Sequence, residues 1–148
     1  MLLLVDKIKK LKIGWNETPL TESDFYRLCR RQRIGITEMP LRVGGFYYRV
    51  IGRDFIAIDS RLSGYQKLAV MFHELGHFLF HVPESGVTAN FHRVGHETRP
   101  EREADVFALC SLIPKWLIDK NNPQDLIDEG FPAEMVQKRL FIRERYGL

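Results

Sequence analysis

Only two cysteines, Cys29 and Cys110, occur in the 148 residues, far apart and within helix-like stretches. No disulfide framework is expected from such a pair, and a reducing, cytoplasmic setting is the expectation. Long apolar runs are missing too. Residues 68–82 come nearest, but His73, Glu74, His77 and His81 break the run before the eighteen or so apolar residues of a membrane span. The opening "MLLLVDKIKK" has four apolar residues between Met1 and Asp6, without the basic n-region, full h-region or cleavage site of a signal peptide. No membrane role follows from either stretch. Charge of one sign is scarce: the formal net charge is +3, too small to imply a nucleic-acid partner. Repeats, low-complexity tracts and long linkers are absent as well. What remains is an ordinary globular composition, 45% hydrophobic and 28% charged, which fits one domain over residues 1–148 with one modest core.

Along the chain, residues 1–13 place Ile8 and Leu11 on one side with lysines between, as in a short helix. Thr21-Glu22-Ser23-Asp24 resembles a helix start, and 23–33 reads as a basic amphipathic helix ending before Gly35. "EMPLRVGGFYYRVIGRDFIAIDS" is rich in aromatic and β-branched residues around the turn-like Gly52-Arg53-Asp54, which predicts a β-hairpin with "FIAIDS" as its second strand. Ser63 followed by Gln66 fits a capping box opening a helix from about Tyr65 to His81. Residues 82–99 read as a loop. A helix over 100–113, apolar on nearly every face after Asp105, should be buried. "DLIDEG" and "PAEMVQKRLFIRERY" predict two closing helices. The expected class is α+β, a small antiparallel sheet or hairpin packed on a helical majority.

The chemistry concentrates in "AVMFHELGHFLFH", residues 69–81. On a helix, i and i+4 share a face, so His73 and His77 can offer two imidazole nitrogens to one ion, at about 2.0–2.1 Å for zinc. Glu74, one residue on, need not be a ligand. It can take a proton from a water that the metal has acidified to a pKa of about 7. Gly76 costs a helix interior roughly 1 kcal/mol against alanine, so a glycine there suggests that something approaches closely. The plain alternative is a pair of core histidines with ordinary hydrogen-bond partners. His81 lies about 12 Å along the axis from His73 at 1.5 Å per residue, too far to share a tetrahedral ion with both others. It reads as packing or as an outer partner.

A third ligand has several candidates: His92, His96, Glu97, Glu101 and Glu103. Metzincins would place a histidine at position 83, where Pro83 stands, so that class is excluded. The gluzincin pattern takes a glutamate from a later helix, often with an acid or amide one turn on to brace a ligating histidine. "ETRPEREAD", residues 97–105, offers Glu101 with Asp105 at i+4, on the side shared with Ala108 and Leu112. Two acids on the buried side of an apolar helix need a cation or hydrogen bonds. A competing reading is that Thr98 and Glu101 form a capping box. Glu103 points elsewhere on the wheel, as a surface or salt-bridge residue.

Together these residues resemble the ImmA/IrrE family of metallopeptidases, whose core is a hairpin, an HE-x-GH-x-x-x-H helix and a later E-x-x-A-[ND]-x-F-A helix ending in proline. Here they appear as "FIAIDS", "HELGHFLFH" and "EREADVFALCSLIP", with the match strongest over 54–114. The resemblance implies metal ligation by His73, His77 and Glu101, with Glu74 as the catalytic base. Asp105, where the family also uses asparagine, would brace a ligand. It implies a zinc-dependent endopeptidase of narrow specificity, with Mn²⁺ or Fe²⁺ also able to occupy a His₂Glu site. Relatives of this kind act on helix-turn-helix repressors, lifting repression of mobile elements or stress genes. The stretch before residue 54 has no room for such a module, so the expected substrate is a separately encoded repressor. From a different class comes a metal-bearing interaction module that sequesters a repressor without cutting it. A purely structural zinc site is disfavoured, because three protein ligands leave a coordination position open.

Of the remaining features, Arg27, Arg30, Arg31 and Arg33 read as a solvated helix face, and no direct nucleic-acid contact is expected. Tyr47, Tyr48, Tyr65, His92 and His96 are candidate donors to an oxyanion. Cys110 reads as core. "FIAIDS" could accept an extended peptide if it forms a sheet edge.

Overall fold

The computed structural model describes residues 1–81 and 98–148. Along the chain lie α1 (Leu2–Lys9), α2 (Glu22–Arg31), β1 (Ile34–Met39), β2 (Gly45–Val50), β3 (Arg53–Asp59) and α3 (Gly64–His81). They are followed by α4 (Arg99–Leu112), α5 (Lys115–Lys120), α6 (Pro123–Asp128) and α7 (Ala133–Tyr146). The class is α+β, as expected. The loop expected over 82–99 lies outside the described residues except for Thr98 and Arg99, the latter already in α4.

Local chemistry accounts for most boundaries. Thr21 Oγ1 accepts from the Asp24 amide and Asp24 returns a bond to the Thr21 amide, a complete capping box that starts α2. In α1 the buried stripe is Leu4, Val5 and Ile8, with the lysines outward. The hairpin is present, but its turn falls one residue earlier than expected. Val50 pairs with Arg53, so Ile51 and Gly52 form a two-residue turn, with φ of 49° and 71°.

The sheet has the order β1-β3-β2 and is mixed, not purely antiparallel. β2 runs antiparallel to β3 through the hairpin, while β1 runs parallel to β3 with Ile34 opposite Asp54. Residues 40–44 carry the chain past β3 to its far side, so β1 and β3 point the same way. This corrects the reading of "FIAIDS" as a possible edge. β3 is the central strand, bonded on both sides, and its buried Ile56, Ala57 and Ile58 suit that place.

Against this sheet lies α3, in which seven consecutive residues, Met71 to His77, are buried. Its other side meets α4, which is buried at Ala104 and from Val106 to Leu112. Phe72 sits where the layers meet, with its ring centroid 5.7 Å from Phe25 and 6.3 Å from Phe107. Gly76 explains how closely the two helices approach. A Cβ there would come within 3.1 Å of the Phe107 ring and 3.4 Å of the Ala104 Cα. The third closing helix, α5, was not expected. Pro114 stands at its N-cap, and the segment is only six residues long.

Candidate metal centre

Two helices supply the polar residues at this crossing. His73 is 7% exposed, Glu74 0% and His77 1%, all on α3. Burial of that much ionisable side chain requires partners, and for the two histidines α4 provides them. His73 Nε2 lies 3.1 Å from Glu101 Oε2, and His77 Nε2 lies 3.0 Å from Glu101 Oε1. The two Nε2 atoms are 3.1 Å apart. One carboxylate thus addresses both rings, one oxygen to each, and ligand atoms of the three residues lie within 4.8 Å of one another.

This triangle fits a metal ion. A tetrahedral ion with bonds of about 2.0–2.1 Å holds its ligand atoms about 3.3 Å apart; here the two Nε2 atoms are 3.1 Å apart and each lies 3.0–3.1 Å from a Glu101 oxygen of its own. The facing nitrogens can share at most one proton between them, so a cation suits the gap better than two N–H groups would. His73, His77 and Glu101 form a group able to hold a metal. The donor set, two imidazoles and a carboxylate, is one that zinc accepts.

The outer nitrogens are engaged as well. His73 Nδ1–H donates to Asp105 Oδ1 at 2.7 Å, which turns Nε2 inward. Burial works against the charged form of His73, but the bonds to Asp105 and Glu101 outweigh it and raise its pKa to about 9. Across the crossing, His77 Nδ1 lies 3.2 Å from His81 Nδ1, and His81 Nε2 lies 2.8 Å from Glu103 Oε2. Burial holds His81 below the usual histidine range. Glu103 is held below the usual carboxylate range despite its burial, by His81 and Arg99.

Of the capping box expected as the alternative role of Glu101, only the threonine half forms. Thr98 Oγ1 accepts from the Glu101 amide at 3.4 Å, so the threonine caps α4. The Glu101 carboxylate does not complete a box but turns to the histidines. Glu74 faces the start of β2: a Cβ on Gly45 would lie 3.3 Å from Glu74 Cγ and 2.8 Å from the Ala57 carbonyl. Glycine at position 45 lets the strand press against the carboxylate-bearing turn of α3.

The structure also sorts the lesser candidates. Tyr47 donates its hydroxyl to Asp54 at 2.6 Å, Tyr48 stacks on Phe55 and Tyr65 on Phe131. Each has a packing role. His92, His96 and Glu97 lie outside the described residues. The arginines of α2 and its exit are exposed, as a solvated face requires. Cys29 and Cys110 are free and buried, and burial pushes their thiols up to about 12 and about 11. Neither suits a nucleophile. The link between His81 and Glu103 was not anticipated. Only the i+4 step from His77 to His81 hinted at it.

The profile of Peptidase_M78, the IrrE N-terminal-like domain, matches residues 29–147. The chain is 27% identical over 121 residues to "Uncharacterized immunity region protein 2" of Bacillus phage phi105, covering 76% of this chain and 77% of that protein. No solved structure matches. Among the described residues, no helix is long and apolar enough to cross a membrane.

Proposed function

We propose, from the premise that this chain belongs to the Peptidase_M78 family of IrrE N-terminal-like domains, that it is a zinc-dependent endopeptidase of narrow specificity. Its substrate on this reading is a separately encoded helix-turn-helix repressor, cut in the cytoplasm to relieve repression. The observation that carries the reading is the convergence of His73 Nε2, His77 Nε2 and the Glu101 carboxylate within 3.0–3.1 Å of one another. Three protein ligands leave a tetrahedral position open, the mark of a catalytic and not a structural site.

When bound, the metal supplies Lewis acidity, polarising the scissile carbonyl and lowering the pKa of a water. The protein's own groups do the rest. Glu74, the residue after His73 on α3, would serve as the general base, accepting a proton from the attacking water and returning it to the leaving nitrogen. Asp105 holds the His73 ring in the orientation that directs Nε2 inward. Zinc suits the donor set, and Mn²⁺ or Fe²⁺ can occupy it. The phage relative supports a regulatory target to the extent that its name places it in an immunity region.

The test pairs the zinc-loaded wild type with Glu74→Gln, each incubated with the helix-turn-helix repressor encoded nearest its gene. The expected result is a discrete cut by the wild type, slowed at least 10²-fold in the variant, since general-base contributions run at about 10²–10⁴. Binding of the repressor by both proteins with no cut by either would replace the peptidase with an interaction module.

A further inference from the structure

We propose that His81 and Glu103 form an outer brace for His77, matching on the second imidazole what Asp105 does for the first. The inference rests on the metal reading of His73, His77 and Glu101. It is carried by a chain of contacts whose proton positions are fixed from both ends. At one end, an imidazole that ligates through Nε2 must keep its proton on Nδ1. His77 Nδ1 lies 3.2 Å from His81 Nδ1, so the N–H of His77 donates and the His81 nitrogen accepts. His81 then carries its own proton on Nε2, where it donates to Glu103 Oε2 at 2.8 Å. At the far end, Arg99 Nε–H donates to Glu103 Oε1 at 2.9 Å, which keeps that carboxylate an acceptor.

Every member of the chain is therefore used once in the role its neighbour demands. The side chains of His81 and Glu103 are each 13% exposed, so competition from solvent is weak. His81 meets the nitrogen of His77 on the far side of the ring from the ligand atom, which places it outside the coordination sphere. Fixing the His77 ring and tautomer would raise its basicity toward the ion and hold Nε2 3.0 Å from Glu101 Oε1. The brace couples the last turn of α3 to the first turns of α4 at the point where the ligands meet. His81 is on this view a positioning residue, acting through His77.

The test is metal affinity, measured by competition with a chromogenic chelator and by the visible spectrum of the Co²⁺ form. The variants are His81→Phe, His81→Asn and Glu103→Gln. Phenylalanine fills the space and removes the acceptor. Asparagine is smaller but returns an oxygen near the place of Nδ1. The brace predicts a loss of about 10–100-fold in Zn²⁺ affinity for His81→Phe, partial rescue in His81→Asn, and a smaller loss in Glu103→Gln. The Co²⁺ bands should shift in the same order. A packing role predicts the reverse ranking, with phenylalanine at least as good as asparagine, and that result would overturn the proposal. Should His81→Phe fail to fold, nitrogen-15 spectra of the zinc-loaded wild type supply a second reading. They should show His81 protonated on Nε2 alone, and a proton on its Nδ1 would overturn the brace. If the wild type binds no metal, the site reading itself falls and the brace with it. If the wild type binds tightly and His81→Phe binds equally well, the brace alone falls.

Discussion

Two buried polar clusters hold this molecule together in opposite ways. Between α3 and α4, the nitrogens of His73 and His77 and the oxygens of Glu101 point inward at a common centre. At the other end, Arg139 of α7 is 0% exposed and points its donors outward. Its Nε donates to the Ile113 carbonyl at 2.6 Å, Nη1 to the Leu148 carbonyl oxygen at 3.0 Å and Nη2 to Asn16 Oδ1 at 3.1 Å. The guanidinium stitches three separate segments, and its three bonds satisfy it. Both clusters are polar and both centre on buried side chains, His73 and His77 in one and Arg139 in the other, so burial does not distinguish them. Direction does: diverging donors tie segments together, while converging acceptors invite a cation.

Replacing one converging group should affect metal binding most. On the proposed reading Glu101→Ala removes a ligand, so Zn²⁺ affinity should fall by more than the about 10–100-fold typical of outer partners. The melting temperature of the chelator-treated protein should fall modestly, since His73 loses its bond to Glu101 but keeps the one to Asp105. Competition titration and calorimetry on the same sample check both. An unchanged affinity would mean that the three atoms meet for another reason.

Replacing the diverging group should do the opposite. Arg139→Met strands the buried Ile113 carbonyl and takes a charged donor from the half-buried Leu148 oxygen and Asn16 Oδ1, at a total cost of about 3 kcal/mol. At about 2–4 °C per kcal/mol for a chain of this size, the melting temperature should drop by roughly 10 °C. The folded fraction should still bind zinc with wild-type affinity. Lost affinity in that fraction would show that the two clusters are not independent.

Gly76 is the position where both properties should move together. Alanine there would press on the Phe107 ring at 3.1 Å and on α4 at the Ala104 Cα, 3.4 Å away. The overpacking cost, roughly 1–3 kcal/mol, exceeds the roughly 1 kcal/mol gained in helix propensity. Forcing the helices apart also lengthens the path from Glu101 to the histidines. Gly76→Ala should therefore lower stability by about 1 kcal/mol and zinc affinity by several-fold. Chelator competition at two temperatures reads both.

Much of this was legible beforehand, for physical reasons. The spacing of His73 and His77 and the later Glu101 and Asp105 are helical periodicities, and periodicity survives without tertiary knowledge. Gly76 announced a close approach because glycine is costly in a helix without one. β1 was missed because a strand's parallel partner lies far along the chain and leaves no local turn signal, unlike the hairpin of β2 and β3. Arg139 was passed over because an arginine in an amphipathic helix is usually solvated, and the carbonyls it meets come from segments remote in sequence. Glu103 read as a surface or salt-bridge residue on the wheel of α4 alone, and it does pair, but the wheel could not name the partner. Its partner, His81, belongs to another helix.

The smallest effect, and the finest discriminator, is the pH dependence of stability with and without metal. With a chelator present, the folded protein holds His73 at a pKa of about 9 through Asp105 and Glu101, against about 6.5 in the unfolded chain. A raised histidine stabilises most when both states can be charged, so its contribution is full below about pH 6.5 and fades as pH rises toward 9. His81 runs the other way: its depressed pKa contributes above the unfolded value and is lost as pH falls below it. Between about pH 7.5 and 8.5 an unfolded histidine is largely neutral, so the His81 contribution is nearly constant and His73 sets the slope. The melting temperature of the chelated protein should fall across that window. With zinc the slope should reverse. Nε2 must lose its proton to bind, so protons compete with the ion and the stabilisation by metal grows with pH. Asp105→Asn should flatten the chelated curve by removing the first carboxylate acting on His73. A chelated curve that stays level in the wild type would mean that the charges do not converge on this ring.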